Sequence, residues 1–574
     1  MSSAHPAPPG KRQPDEEEEK QAKKKAKKEA KKEKKGKKNA GASGDECSHL
    51  TVEPFDCGKS LAAILETAGL AVVSGAAPLV VESHCAGVDA PVLGLNAMGV
   101  PTRVVVVSEI DPAPALAHLL HHQPEHMVPN IAYGKCCQGP CLKHGGKWCS
   151  WQSAPRRDVL FASFVCTRYS QQNPARHNED YDPIQEPGKS NAADTFFEVR
   201  NTIKETQPRF FILENVDGVT RTRGKDKGTP LDFMLHDDVH GLLSLNYTVE
   251  TVSDCRGTRA RLPQSRPRTL FLGAHHSEMI SAVTLKKTLK GLLKISGKGP
   301  VHHIDSFLHK LMVSDADASD IGGGKSEVDH VQDEIDYHHA LKKALQDAQD
   351  NEVWPEDGKL PAPSVRPSQR VSAPPGVRAR IDVMSVVLGK FLGDGKHPLA
   401  DVSQSIDRLP WCTDGTLPTL TTNSMIFSFK LGKFIHPRVL ARSMGVSDSF
   451  NMSFLTVSQQ RKIVGNGYIV PLAAMAAAAV CKDHPPAAAV ASASGHHLSL
   501  RGQQSAAATQ QPSASIHPAR SHQRPSTASF SRRLRVRRPG TSWRRVSRDS
   551  DASSARHTGQ RGESASLMGA CHTR

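Results

Sequence analysis

One cysteine and three short motifs that follow it in order carry the residue types of a nucleophilic attack. Cys166 stands in Phe161-Ala162-Ser163-Phe164-Val165-Cys166-Thr167-Arg168. Glu214-Asn215-Val216 follows directly on the apolar run Phe210-Phe211-Ile212-Leu213. Pro263-Gln264-Ser265-Arg266-Pro267-Arg268 precedes a second apolar run, Thr269-Leu270-Phe271-Leu272-Gly273, and Gly465-Asn466-Gly467 stands just before the Ala-rich stretch from Pro471. A thiol, a carboxylate and two arginines, each at the mouth of an expected strand, are the parts needed to attack a pyrimidine ring. Singly, each motif has an ordinary reading: a small core cysteine, a turn, surface charge, or a helix cap. Together and in this order, over about 300 residues, they are a much stronger signal.

The elements that must position them follow from hydrophobic patterning. Leu79 to His84 reads as a buried strand running into the small-residue turn Cys85-Ala86-Gly87-Val88-Asp89-Ala90, with a helix through Leu93, Leu95 and Met98. Arg103 to Glu109 is a second strand ending in an acid, and Pro114 to His121 a second helix. Asp158 to Phe164 is a strand with Cys166 just past its end. Ala192 to Glu205 is a helix with Phe196, Phe197, Val199 and Ile203 on one face, and Phe210 to Leu213 is the next strand. Strands alternating with helices give the fold class α/β, with a doubly wound, mostly parallel sheet. Ligands of such sheets sit beyond the carboxyl ends of the strands, where Gly87, Glu109, Cys166 and Glu214 all fall. After Gly273 the alternation fails. The stretch Ser314 to Glu356 is acidic and polar, Pro355 to Pro375 is a Pro-rich linker, and only Met384 to Leu392 reads as a short strand or helix. Helical stretches return at 436–445, 457–464 and 471–480.

The charge is partitioned. Residues 1–44 hold 14 Lys and Arg against 7 Asp and Glu, and residues 484–574 hold 14 Arg against 3 acids. With +16 for the whole chain, the middle is close to neutral. Neither tail has the apolar content to offset its ordering entropy, so both are expected to be disordered. Basic tails of this kind favour polyanion partners. The run Lys23-Lys24-Lys25-Ala26-Lys27-Lys28 fits a nuclear-import signal, and a nuclear location is the expectation. Arg532 to Arg538, with Trp543-Arg544-Arg545 beyond, suits a nucleic-acid backbone. No run approaches the ~20 apolar residues of a membrane span. The 12 cysteines show no regular spacing, which fits a reducing compartment with free thiols.

The four motifs in this order resemble the cytosine-5 DNA methyltransferase family, over about residues 79–275 and 416–476. The resemblance implies a Rossmann-like methyltransferase sheet with a smaller target-recognition domain at 274–415. The catalytic domain then comprises 50–273 and 416–483. It implies S-adenosyl-L-methionine as cofactor, DNA as partner and no membrane, with methyl transfer to cytosine C5 on a flipped base. Carried over residue by residue, Cys166 is the nucleophile, Glu214 the acid at N3, and Arg266 and Arg268 the clamps. Asn215 braces the cysteine loop. The cofactor falls to the turn at Cys85, Gly87 and Asp89, to Glu109 for the ribose hydroxyls, to Asn130 and Ile131 for the adenine, and to Gly465 and Asn466 closing the pocket. Three positions depart from the family pattern. Val165 stands where the family has proline, a change expected to loosen the nucleophile loop. Asp89 stands for the second glycine, placing a charge near the cofactor, and Asn130 for an aspartate.

A tRNA-directed branch of the same family uses the same cysteine chemistry, and a catalytically silent nucleic-acid-binding scaffold on this fold is the reading from another class. The 50 or so residues before the catalytic domain are too few, and too charged, for a separate reader domain, so a stand-alone enzyme, or one that depends on partners for targeting, is expected. A further cluster, Cys136-Cys137-x3-Cys141-x2-His144-x4-Cys149, gathers zinc-ligating residue types. Its spacing is not that of a standard knuckle. It reads as an exposed thiol-rich loop inserted between strands, with a structural zinc on Cys137, Cys141, His144 and Cys149 as the less favoured alternative.

Overall fold

The main sheet is set by seven apolar segments. Strands β1 (Leu79–His84), β2 (Thr102–Ser108), β3 (His126–Val128), β6 (Val159–Ala162) and β7 (Phe210–Val216) run parallel; β8 (Tyr247–Cys255) and β9 (Arg268–His275) complete the sheet in the order β3-β2-β1-β6-β7-β9-β8. β9 is antiparallel to both neighbours, β7 and β8. The computed structural model describes residues 56–70, 77–170, 173, 184, 188, 191–222, 228–308, 327–394 and 396–481. Both basic tails, with the import and backbone-binding readings placed on them, lie outside the described residues.

The strands are buried on both faces because alternate residues feed two cores. Val159, Phe161, Phe210 and Ile212 join one core with helices α1 (Cys57–Thr67), α2 (Ala90–Ala97), α6 (Ala282–Ser296) and α11 (Val470–Cys481). Leu160, Ala162, Phe211 and Leu213 join the other with Phe196, Phe197, Val199 and Ile203 of α4 (Asn191–Thr206). The alanines of α11 have a steric reason: a Cβ on Gly94 of α2 would meet Ala474 Cβ at 2.7 Å, so the two helices pass nearly backbone to backbone. The expected doubly wound α/β sheet is therefore present, with one reversed strand, β9, between β7 and the edge strand β8.

The region after Gly273 is more regular than its sequence suggests. α6 packs Leu285, Leu289, Leu292 and Leu293 onto the main sheet. A separate core joins α7 (Glu327–Asp350) and α8 (Pro375–Gly393) to a small antiparallel sheet, β11-β10-β12-β13, formed by β10 (Leu399–Asp401), β11 (Trp411–Cys412), β12 (Ile426–Ser428) and β13 (Lys433–Phe434). Tyr337, Leu341, Ala344 and Ala348 are the buried stripe of α7. The acids around that stripe made the segment read as irregular. The boundaries at 273 and 415 are crossed on both sides: α6 belongs to the main core, and the second core includes Phe427 and Phe429. α9 (Pro437–Arg442), α10 (Val457–Asn466) and α11 correspond to the three expected C-terminal helices.

Candidate active site

Strand register brings the dispersed motifs to one edge. His84 pairs with Ala162, and Ala162 with Leu213, so Cys85, Ser163 and Glu214 stand at one level, the first two just past their strands and Glu214 still within β7. A small open cleft there is lined by Ser83, His84, Ser163, Glu214 and Tyr468 among others. This is the carboxyl-end position expected of a ligand on a parallel sheet.

Arg268 reaches this edge from the opposite direction. In the antiparallel β7–β9 pair, Val216 faces Arg268 and Glu214 faces Leu270. Glu214 and Val216 share a face, so Glu214 and Arg268 are diagonal neighbours. Their side chains form an ion pair, both largely buried. Arg266 is buried beside them and donates from Nη2 to the Gly465 carbonyl at 2.7 Å. Its Nε and Nη1 have no hydrogen-bond partner among the described residues. Burial and the Arg268 charge push its pKa down, while Glu214 and Cys166 oppose the shift. Gln264 donates to Ser443 Oγ at 3.4 Å and stays away from the charged cluster.

Cys166 lies in the loop after β6 and is half-buried. Burial pushes its thiol up, Arg268 pulls it down, Glu214 raises it and Arg266 lowers it. The four groups thus act on one another's charge. The loop is held at two points. Asn215 Nδ2 donates to the Phe164 carbonyl at 3.0 Å, and the Val165 N–H donates to Thr195 Oγ1 of α4 at 3.2 Å. A proline at 165 has no N–H to give. The valine is therefore tied by a hydrogen bond that the expected loosening did not take into account.

The turn after β1 is built around Glu109. Its two oxygens accept from the backbone N–H groups of Gly87 (3.0 Å) and Asp111 (2.8 Å). Burial raises its pKa and these bonds lower it. Gly87 has φ +55°, and a Cβ there would come within 3.3 Å of the Asn466 carbonyl oxygen, so the first and last motifs meet at this glycine. Gly465 is equally hemmed in: its Cβ would lie 2.2 Å from the Thr421 carbonyl oxygen. Cys85 also has positive φ, and its thiol is pushed up to about 12 by burial and by Glu109. Asp89 departs from expectation. Its carboxylate is wholly buried, accepts from Ser83 Oγ at 3.1 Å and lies 3.8 Å from His118 Nδ1, so its charge is turned into the protein. Asn130 is exposed and its side chain accepts from the Ala132 N–H at 2.9 Å, while Ile131 is buried. Neither lines the cleft described above.

The family model for C-5 cytosine-specific DNA methylases matches residues 81–482. The chain belongs to this family. It shares methyltransferase character with its members. Solved structures with a similar fold include the Dnmt2 methyltransferase of S. pombe, at 12% identity over 70% of this chain and 98% of that one, with a TM-score of 0.38. The methyltransferase EhMeth of Entamoeba histolytica is 12% identical over 71% of this chain and 99% of that one, with a TM-score of 0.36. No curated protein matches the sequence.

Three contributors were not singled out from sequence. Tyr468 is buried in the cleft wall, its phenol pushed well above the usual range by burial, Cys255 and Glu214. Thr195 anchors the cysteine loop. A ring nitrogen of His118 lies 3.1 Å from the Gly87 carbonyl. None carries a local pattern that marks it; each acquires its place by packing. In the cysteine cluster, Cys137 has φ +48° and packs with Val105, Val106, Val128 and Trp151. It is therefore removed from the ligand-type side chains, whereas Cys141, His144 and Cys149 converge with His126.

Proposed function

We propose that this chain methylates cytosine C5 in DNA, with S-adenosyl-L-methionine as methyl donor and Cys166 as covalent nucleophile. The observation that carries the reading is the mutually charged set Cys166, Glu214, Arg266 and Arg268 at the ends of β6, β7 and β9. Cytosine C5 is a poor nucleophile until a thiolate adds at C6. The Cys166 thiol gives its proton to solvent and its sulfur forms that bond while the Glu214 carboxyl meets N3, and the arginines take up negative charge at O2. The electron pair thus brought to C5 accepts the methyl group. Loss of the C5 proton to solvent and expulsion of Cys166 restore the ring. The target base must leave the duplex to reach this edge.

The residues near β1 and β2 fit the methyl donor. The positive-φ turn at Gly87 runs too close to the Asn466 backbone to carry a side chain, and Glu109 keeps lone pairs for hydroxyl donors beyond its backbone bonds. The bound donor supplies an electrophilic methyl group. Gly87, Glu109 and Asn466 would hold its adenosyl part, and Asn130 and Ile131 would flank the adenine. DNA is preferred to RNA as substrate because the matching family is one of DNA methylases.

Duplex DNA containing 5-fluorocytosine tests this, because fluorine blocks the last elimination and traps the adduct. With S-adenosylmethionine present, the wild-type chain is expected to shift on a denaturing gel and Cys166→Ser is not. An adduct on fluorinated tRNA but not on DNA would overturn the substrate assignment. No adduct on either, with nucleic acid still bound, would overturn the catalytic one.

A further inference from the structure

The insertion between β3 and β6 holds a cluster that methyl transfer does not use. It contains a short hairpin of β4 (Gln138–Cys141) and β5 (Lys147–Ser150). Four side chains meet there: His126 of β3, Cys141 at the end of β4, His144 in the turn, and Cys149 of β5. One ligand-type atom from each lies within 4.8 Å of all the others. We propose that this tetrad is a structural zinc site of the two-cysteine, two-histidine type, clasping the hairpin to the edge strand of the main sheet.

The geometry is nearly that of a filled site. Tetrahedral zinc with sulfur at about 2.3 Å and nitrogen at about 2.0–2.1 Å sets its ligand atoms roughly 3.3–3.8 Å apart. Cys149 Sγ already lies 3.2 Å from His144 Nδ1, and the widest separation has to contract by only about 1 Å. The hairpin pairs Cys141 with Lys147 and Gly139 with Cys149, which makes the two thiols diagonal neighbours across the ladder. The turn between them closes through Gly145 and Gly146, at φ +68° and +82°. Cys141 is fully buried, and its sulfur accepts the Met127 N–H at 3.4 Å, a bond that orients it toward β3. His126 Nδ1 is buried with no hydrogen-bond partner among the described residues, a state that buried polar atoms rarely keep.

The chemistry of the donor set selects the metal. Two thiolates and two neutral imidazoles suit zinc and reject the hard cations magnesium and calcium. On binding, both thiols lose their protons to solvent, and their two negative charges cancel the dication. No ligand position remains open, which is the mark of a structural rather than a catalytic site. Local spacing did not show the set because His126 lies on a sheet strand 15 residues before Cys141. Only the fold makes it the fourth member.

The location gives the site a task. β3 is the outermost strand of the sheet at that edge, and the hairpin covers it against fraying. Asn130 follows the end of β3 by two residues. On the cofactor reading above, the metal also steadies the loop that would flank the adenine.

The test is metal content of the full-length chain after dialysis against metal-free buffer. About one zinc per chain is expected for the wild type, and for Cys136→Ser and Cys137→Ser, with loss of nearly all of it in Cys141→Ser and Cys149→Ser. A second measurement does not depend on how the variants fold. Cobalt substituted into the wild type should give the absorption bands of a tetrahedral thiolate site, and chelation should speed alkylation of Cys149 severalfold. A wild type without stoichiometric zinc, a Cys141–Cys149 disulfide in its place, or zinc kept by the Cys141 and Cys149 variants would overturn the proposal. These readouts measure metal and not methylation, so they stand or fall apart from the catalytic reading. Weaker S-adenosylmethionine binding by the chelated chain tests the coupling alone.

Discussion

Asp89 offers a measurement whose size follows from its surroundings. Its carboxylate is wholly buried; Ser83 Oγ donates to one oxygen, and the other has no hydrogen-bond partner among the described residues. Burial raises its pKa from an ordinary 3.8 to about 7, with the Ser83 bond and the Val92 N–H opposing. At about 1.4 kcal/mol per tenfold, the ionised form costs the fold roughly 4 kcal/mol. The sign follows from linkage. Between these two values the native state holds a proton that the unfolded chain has released, so stability falls as pH rises from about 4 to about 7. Asp89→Asn keeps the shape, an acceptor for Ser83 and a residue tolerant of the left-handed backbone at φ +52°, and it removes the ionisation. In urea unfolding, the wild type is expected to lose roughly 2 to 3 kcal/mol relative to Asp89→Asn between pH 5 and pH 8, with the variant ahead by a few kcal/mol at pH 8 and the two converging near pH 4. Parallel pH profiles would refute the reasoning, and so would a variant less stable at pH 8. Either would mean that the carboxylate is charged in the fold and that His118 pairs with it as imidazolium.

Three further outcomes follow from the site. Alkylation of Cys166 by iodoacetamide should be slower at neutral pH than that of a free cysteine, with its midpoint displaced upward, because burial outweighs the two arginines; a midpoint below that of free cysteine would contradict this. Asn215→Ala removes the donor to the buried Phe164 carbonyl and should cost about 1–3 kcal/mol in stability. It should also slow adduct formation on fluorinated DNA more than it weakens DNA binding, and equal effects on both would count against loop bracing. Gly87→Ala meets both a positive φ and the Asn466 carbonyl. It should destabilise the chain by about 1 kcal/mol or more and weaken S-adenosylmethionine binding measured by calorimetry, whereas unchanged affinity would remove the turn from the cofactor site.

The sequence by itself determined five of the seven strands of the main sheet (β3 and β8 went unread), the order of the motifs along it, and the helices of the last third. Those features rest on local hydrophobic period and on residues adjacent in the chain, as with Phe210–Leu213 running into Glu214. Tertiary structure alone decided what lies next to what. Arg268 reaches Glu214 because β9 runs antiparallel to β7 in one particular register, and no local pattern specifies a register between strands some 50 residues apart. Asp89 was expected beside the cofactor, but its left-handed backbone turns the carboxylate inward to Ser83. The loop at Val165 keeps its anchor through Thr195, on a helix whose contact with that loop exists only in the folded chain. The irregular middle hid α7 because a single buried stripe under a charged surface carries little hydrophobic contrast. The thiol cluster showed three members of its tetrad, and His126 joined them only when an edge strand and a hairpin met in space. Periodicity is a property of neighbours in sequence; a site is a property of neighbours in space, and the packing of the two cores sets those distances.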